Sequence, residues 1–250
     1  MDPQVDRGEK LAKNPWLASG TLAGIALVGH ALPAITAIAP LRRRFFRQLS
    51  GLSDSPAIAL TFDDGPDIRS TPLFLDCLDR LGWKATFFML GSMAAKDPGL
   101  TREVQLRGHE VALHGYHHKN LLWRSPKATK DDMHRSHETL SEITGRSPRF
   151  YRPPYGVLNT QALITAKTLA LTPVLWTAWG QDWTAKATPE TVMGNLSNGL
   201  APGATLLLHD SDCTSASDAY HSALGALDLI NDRLSKIAVS IERLCDHFQS

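Results

Sequence analysis

The chain has 250 residues, a formal net charge of +1 and 43% hydrophobic residues. That length and apolar content supply one sizeable core, enough for a single barrel or for one domain with an appendage. The near-zero charge gives no electrostatic footing for a nucleic-acid partner. Three scattered cysteines, Cys77, Cys213 and Cys245, form neither a disulfide framework nor a CxxC metal motif.

Residues 1–14 are polar and mixed in charge and read as a loose tail. Residues 15–41 contain no Asp, Glu, Lys or Arg. As a helix this stretch is long enough to cross about 30 Å of hydrocarbon, although Gly20, Gly24, Gly29, His30 and Pro33 interrupt it. Three readings compete for it: an uncleaved membrane anchor, which leads, a secretory signal, and an Ala/Gly-rich helix packed on the domain. Pro40, directly after the small-residue site Ala37-Ile38-Ala39, counts against signal cleavage. Residues 42–55 read as a basic linker carrying Arg42, Arg43, Arg44 and Arg47, against Lys10 and Lys13 on the other flank. Taken alone, the positive-inside rule puts the main domain in the cytoplasm.

From residue 56 to the end, strand and helix signals alternate. Residues 57–62 form an apolar run that ends abruptly in Asp63-Asp64-Gly65-Pro66, a buried strand running into a turn. Leu73, Phe74, Cys77, Leu78 and Leu81 recur at helical spacing and stop at Gly82. Residues 85–90 make a second strand, 100–107 a helix ending at Gly108, and 110–113 a third strand. A solvent-facing helix is expected over 126–144, between Ser125-Pro126 and Gly145. Then follow a strand at 149–152, a helix at 161–169, a strand at 173–177, a helix at 189–200, a strand at 205–208, a helix at 219–234 and a last strand at 237–241. Such alternation requires parallel strands with right-handed crossovers, so either a (β/α) barrel or a doubly wound sheet. No glycine-rich nucleotide motif is present, which favours the barrel.

In a barrel the chemistry sits just after successive strands. Asp63 and Asp64 follow the first, His114-Gly115-Tyr116-His117-His118 the third and Arg152-Pro153-Pro154-Tyr155-Gly156 the fourth. Asp182-Trp183 lies beyond the fifth, and His209-Asp210 ends the sixth. His114 and His118 are four apart, so one helical turn would aim both imidazoles the same way. Two histidines and a carboxylate suit a divalent transition metal with open positions, Zn²⁺ foremost. Either Asp64 or Asp63 completes that set. The other can then take a proton from a water whose pKa the metal lowers to about 7. His117 would be a ligand only in a shifted register; if His114 and His118 share a face it points elsewhere and reads as structural or substrate-facing.

These segments, in this order, resemble the five motifs of the NodB-homology polysaccharide deacetylases, carbohydrate esterase family 4, over roughly residues 56–245. The resemblance implies a distorted (β/α) barrel of seven or eight strands at residues 56–250, here preceded by the N-terminal apolar helix. It implies removal of N-acetyl, or sometimes O-acetyl, groups from sugars with one divalent metal, Zn²⁺ first and Co²⁺, Ni²⁺ or Mn²⁺ as alternatives. Asp64, His114 and His118 would hold the metal, and Asp63 would be the general base. Arg152 would pair with Asp63 and keep it ionised. The Tyr155 N–H would help stabilise the oxyanion. His209 would be the general acid for the leaving amine, with Asp182 orienting it. Trp183 and Leu208 would wall the acetyl-methyl pocket.

Two positions depart from the family pattern: Gly115 where Ser or Thr is usual, which removes a hydroxyl that could order the loop, and Trp179 where an Asp often stands. Trp176, Trp179 and Trp183 make either an apolar rim or core, with Trp176 assigned to the core. The expected function is deacetylation of a glycan, with N-acetylglucosamine in a cell-wall polymer foremost. The alternatives are the same hydrolysis on a small or lipid-linked amide, or a non-catalytic glycan-binding relative. The expected partners are therefore an acetylated glycan or amide and, through residues 15–41, a membrane, with no nucleic acid. The resemblance favours a membrane-associated or secreted location and the arginine cluster favours the inside, so the side stays open.

Overall fold

Apolar residues spaced two apart give the strands two buried faces, and helices cover one of them. The computed structural model, which describes Gly24 and residues 27–249, has eight short strands. These are β1 (Ile58–Asp63), β2 (Thr86–Met89), β3 (Glu110–Leu113), β4 (Phe150–Tyr151), β5 (Thr172–Pro173), β6 (Ala178–Trp179), β7 (Thr205–His209) and β8 (Ile241–Glu242). All pairings are parallel, in the order β5-β4-β3-β2-β1-β7-β6, with β8 beside the start of β1. β1 is the axis. It registers Asp63 with Phe88 of β2 on one side and with His209 of β7 on the other. Alternation sends Ile58, Leu60 and Phe62 to the core shared with the outer helices. Ala59 instead joins Phe88, Ala112, Phe150, Val174 and Leu244 within the curve of the sheet.

The helices begin and stop where short-range chemistry dictates. Thr71–Leu81 is closed by Gly82 at φ 69, and Pro126–Thr144 by Gly145 at φ 68. Both glycines supply the left-handed cap that other residues adopt only with strain. At the start of Pro126–Thr144 the Ser125 hydroxyl accepts from the Ala128 N–H at 3.2 Å. Two short helices, Gly91–Lys96 and Leu244–His247, lie outside the pattern expected from the sequence.

The strand expected at 173–177 is two strands with different partners. Thr172–Pro173 pairs with β4, and Ala178–Trp179 pairs with β7. Between them the Val174 N–H donates to Tyr151 O and the Thr177 N–H to Thr205 O, each at 2.9 Å. The chain therefore crosses the barrel seam here, and one crossing segment closes it where a ladder would otherwise run. Residues 42–55 are part of this closure. Leu49 O accepts from the Leu175 N–H at 2.8 Å, and Gly51 O accepts from the Thr205 hydroxyl at 2.7 Å.

The expected N-terminal apolar helix is not continuous in its described part. Residues 27–31 are helical, Leu32–Ala37 is a 3-10 turn, and Ala39–Phe45 is a separate short helix. Pro33 and Pro40 sit in the first turns of the latter two, where a missing N–H and the restricted preceding residue break helical continuity. Among the described residues no helix is long and apolar enough to cross a membrane. Residues 15–23, 25 and 26, which the anchor reading also needs, lie outside the described residues.

The barrel interior is plugged by Arg152, which is fully buried. Its guanidinium lies 4.0 Å from the centre of the Phe88 ring. It donates to Asp63 Oδ1 at 2.6 Å, Thr61 Oγ1 at 2.8 Å, Leu175 O at 2.9 Å and Val174 O at 3.2 Å. It thus ties the central strand to the crossing segment. Arg152→Met should lower the free energy of unfolding by about 3 kcal/mol or more, because Asp63 is left buried and unpaired. The double variant with Asp63→Asn should recover part of that loss, as read from denaturant titrations of all four proteins in a double-mutant cycle.

Candidate metal and active site

Successive residues of a strand face opposite ways, so Asp63 and Asp64 should diverge. They do not, because Asp64 has φ 79. That left-handed backbone swings its carboxylate back to the side of Asp63. The turn needs Gly65 next, since a Cβ there would collide with the Asp210 carboxylate. Asp210 is held in turn by Thr71, whose hydroxyl donates to Oδ2 at 2.5 Å, and burial pushes its carboxyl up to about 7.

Asp64 Oδ1 stands 3.3 Å from His114 Nε2 and 3.5 Å from His118 Nε2. The three ligand atoms lie within 4.8 Å of one another, and Asp64 Oδ1 is buried with no hydrogen-bond partner. Two donors about 2.1 Å from a Zn²⁺ at the tetrahedral angle stand about 3.4 Å apart, so these spacings suit a shared cation. The tautomer fits as well. His114 Nδ1 lies 2.9 Å from Arg152 O, which can only accept, so Nδ1 carries the hydrogen and Nε2 offers its lone pair. Thr214 holds the other Asp64 oxygen, its hydroxyl donating to Oδ2. Burial opposes ionisation of Asp64, but interaction with His114 and the charges of His209 and His118 hold the carboxyl well below its ordinary range. Burial, then the neighbouring His114, brings His118 down to about 4, which leaves its imidazole neutral and able to ligate at neutral pH.

Across the site, His209 Nδ1 is 3.0 Å from Asp182 Oδ1, and the His209 N–H donates to Asp182 Oδ2 at 2.7 Å. Burial alone would lower the imidazole. The Asp182 charge and hydrogen bond, helped by Asp64 and Asp63, outweigh it and raise His209 to about 10. Asp63, Asp64, His114, His118 and His209 open on one cavity of about 350 Å³. Its apolar walls are Trp176, Trp179, Trp183 and Leu207. Trp176 and Trp179 stack with centroids 5.7 Å apart, and Trp179 meets Trp183 at 4.9 Å. Tyr155 is on the rim in the left-handed region at φ 59, its ring 4.4 Å from that of His118. A non-glycine residue there costs about 1 kcal/mol or more, and such strain persists where its surroundings impose it.

Most of the expected residues meet here, with Arg152 and Asp182 just behind the lining. Leu208 does not. It is fully buried in the outer core against Gly180. Leu207 faces the cavity instead, because it lies two residues from His209 on the same face of β7. Trp176, assigned to the core, lines the cavity. The loop at Gly115 is ordered without the missing hydroxyl. Its carbonyl accepts from Ser136 Oγ at 2.8 Å and the Tyr116 N–H donates to Asp132 Oδ2 at 2.7 Å. A side chain at Gly115 (φ 92) would also press on Asp132. Thr214 went unread, since its place in the sequence carries no signal of a contact with Asp64.

Comparison with known proteins agrees with this geometry. The sequence model of the family described as polysaccharide deacetylase matches residues 51–174. A peptidoglycan-N-acetylglucosamine deacetylase of Bacillus cereus is 31% identical over 80% of this chain and 71% of its own length. The chain belongs to the polysaccharide deacetylase family. It is accordingly a hydrolase of the class acting on carbon–nitrogen bonds other than peptide bonds. The crystal structure of the Bc1960 peptidoglycan N-acetylglucosamine deacetylase superposes with a TM-score of 0.74 at 31% identity, covering 81% of this chain and 92% of that one. A family 4 acetyl xylan esterase of Clostridium thermocellum, solved with a cobalt ion, gives a TM-score of 0.70 at 27% identity, covering 77% and 90%. Peptidoglycan deacetylases of Listeria monocytogenes are longer proteins. They are 36% identical over 64% of this chain, which spans 33% of their length.

Zn²⁺ titrated into metal-free protein should bind at about one ion per chain and raise the melting temperature. His118→Gln should abolish most of that shift at the same Zn²⁺ concentration, read by calorimetry and thermal denaturation.

Proposed function

We propose that this protein removes acetyl groups from the amino sugars of an N-acetylglucosamine-containing glycan, with Asp64, His114 and His118 holding one divalent cation, Zn²⁺ first. The observation that carries this reading is the convergence of two different carboxylates and of His209, paired with the buried Asp182, on one aromatic-walled cavity. The similarity to peptidoglycan N-acetylglucosamine deacetylases supports the amide substrate.

A cation held by Asp64, His114 and His118 would supply Lewis acidity, polarising the acetyl carbonyl and lowering the pKa of a water it binds to about 7. Asp63 is the base. Arg152 occupies Oδ1, and Oδ2 faces the ligand cluster 3.8 Å from His114 Nε2. Asp63 takes the proton of the attacking water as its oxygen bonds to the acetyl carbon. Tyr155, on the cavity rim, supplies the main-chain N–H that stabilises the negative charge then developing on the former carbonyl oxygen. His209, kept cationic by Asp182, gives its proton to the sugar nitrogen as the C–N bond breaks, because an amine is too basic to leave unprotonated. Acetate and a free amino sugar result. The tryptophans and Leu207 pack against the acetyl methyl and the sugar face.

Acetate release from a panel of N- and O-acetylated glycans and small amides, with and without excess chelator, tests the reading. Release is expected from N-acetylglucosamine oligomers and should vanish with chelation; undiminished release in chelator rejects the metal centre. Asp63→Asn should cost about 10²–10⁴ in turnover, the usual worth of a positioned base, while Zn²⁺ stoichiometry stays intact. Asp182→Asn removes the charge that raises His209. The alkaline limb of the pH–rate profile, where the acid loses its proton, should therefore move to lower pH.

A further inference from the structure

Beside the main cavity lies a second cleft of about 180 Å³, and Tyr155, Gly156, Trp176 and Trp179 are the wall between them. Its far side is the N-terminal segment, with Arg42 and Arg43. Arg42 is 3% exposed. It donates from Nη1 to Thr36 O at 2.7 Å and from Nη2 to Trp176 O at 3.0 Å, and its buried Nε has no hydrogen-bond partner. Arg43 is exposed and donates through Nη2 to Thr177 O. Both guanidiniums are thus oriented by main-chain carbonyls, which fix position without cancelling charge. Among the described residues no carboxylate forms an ion pair with either. Burial and the charges of Arg43 and Arg152 draw Arg42 down to about 10, as expected where positive potential lacks a counter-ion. Arg42 also lies 5.9 Å from the centre of the Trp176 ring, so the cationic cleft and the aromatic wall share a side chain contact.

We propose that this cleft is a subsite for an anionic group, a carboxylate or a phosphate, carried on the acetylated sugar or on the unit joined to it. The inference rests on the reading of the adjoining cavity as a deacetylation centre. Arg43 touches the anion with the guanidinium nitrogens it does not spend on Thr177, and Arg42 anchors the segment and adds its charge from behind. A neutral oligosaccharide leaves this charge unused. An anionic one places it opposite two cations and is held in register with its acetamido group in the main cavity.

The test uses the Zn²⁺-loaded full chain and three probes of one length: the neutral N-acetylglucosamine trimer, its reducing-end aldonate and its 1-phosphate. Dissociation constants by calorimetry and kcat/KM for acetate release are measured for each. The anionic probes should be favoured by about tenfold, the scale of one charge-assisted hydrogen bond, and added salt should shrink that ratio. Arg43→Gln should bring the ratio toward one, and Arg43→Lys should keep most of it. General damage lowers all three probes together and leaves the ratio alone. Equal constants for the three probes, or a ratio unmoved by Arg43→Gln, overturns the subsite, while acetate release still upholds the deacetylase. Charge-dependent, Arg43-dependent binding with no acetate from any probe upholds the subsite and overturns the deacetylase reading. Whichever of the aldonate and the phosphate is preferred identifies the anion.

Discussion

The fully buried guanidinium of Arg152 organises this protein. Arg152 is expensive to place inside a barrel, where a lone guanidinium has lost its water. Four protein oxygens replace that water, and they belong to the central strand and to the segment that crosses the seam. The same residue acts twice at the site. Its side chain pins Asp63 by one oxygen, and its carbonyl fixes the tautomer of His114. Asp63 and His114, the proposed base and one proposed metal ligand, are therefore both positioned by one residue at the end of β4, and the geometry between them cannot drift without disturbing the core.

Much of this was legible in the sequence because it depends on short-range rules. Apolar runs of strand length, the Gly82 and Gly145 stops and the Ser125-Pro126 start are local signals, and the structure places elements accordingly. The polar clusters at strand ends were legible because parallel (β/α) architecture leaves few other places for them. What escaped depends on partners far away in the chain. Nothing between 173 and 177 says that the segment changes neighbours midway, since both of its pairings are with distant strands. The basic stretch 42–55 reads as a linker because its partners are remote and largely main-chain: Leu49 O and Gly51 O accept from Leu175 and Thr205, and Arg42 and Arg43 donate to the Trp176 and Thr177 carbonyls, which any residue can supply. Leu207 and Leu208 are chemically alike, and only the phase of alternation set by His209 separates them. That phase places Leu207 at the cavity.

The two departures from the family pattern have different physical outcomes. At Gly115 the loop gains order from the Pro126–Thr144 helix, where Asp132 and Ser136 hold its main chain. The missing hydroxyl is replaced by contacts from another element, so its loss leaves the ligands in place. Trp179, where the resemblance implies an Asp, is part of a three-indole wall. Its indole adds stacking area beside His209, a surface suited to the apolar face of a sugar ring. His209 retains Asp182 as its carboxylate partner.

The left-handed backbone at Asp64 bears on how such an enzyme could decay over evolutionary time. Two neighbouring carboxylates point the same way, but only Asp63 is tied to the buried arginine. Asn is among the residues that tolerate positive φ best, so Asp64→Asn is a one-step change that keeps the turn and removes a buried charge. Loss of Asp63 strands Arg152 and threatens the fold. Lineages released from selection for chemistry would therefore shed Asp64 first and keep Asp63 as a relic of architecture, and a surviving Asp63–Arg152 pair is no proof of a working enzyme.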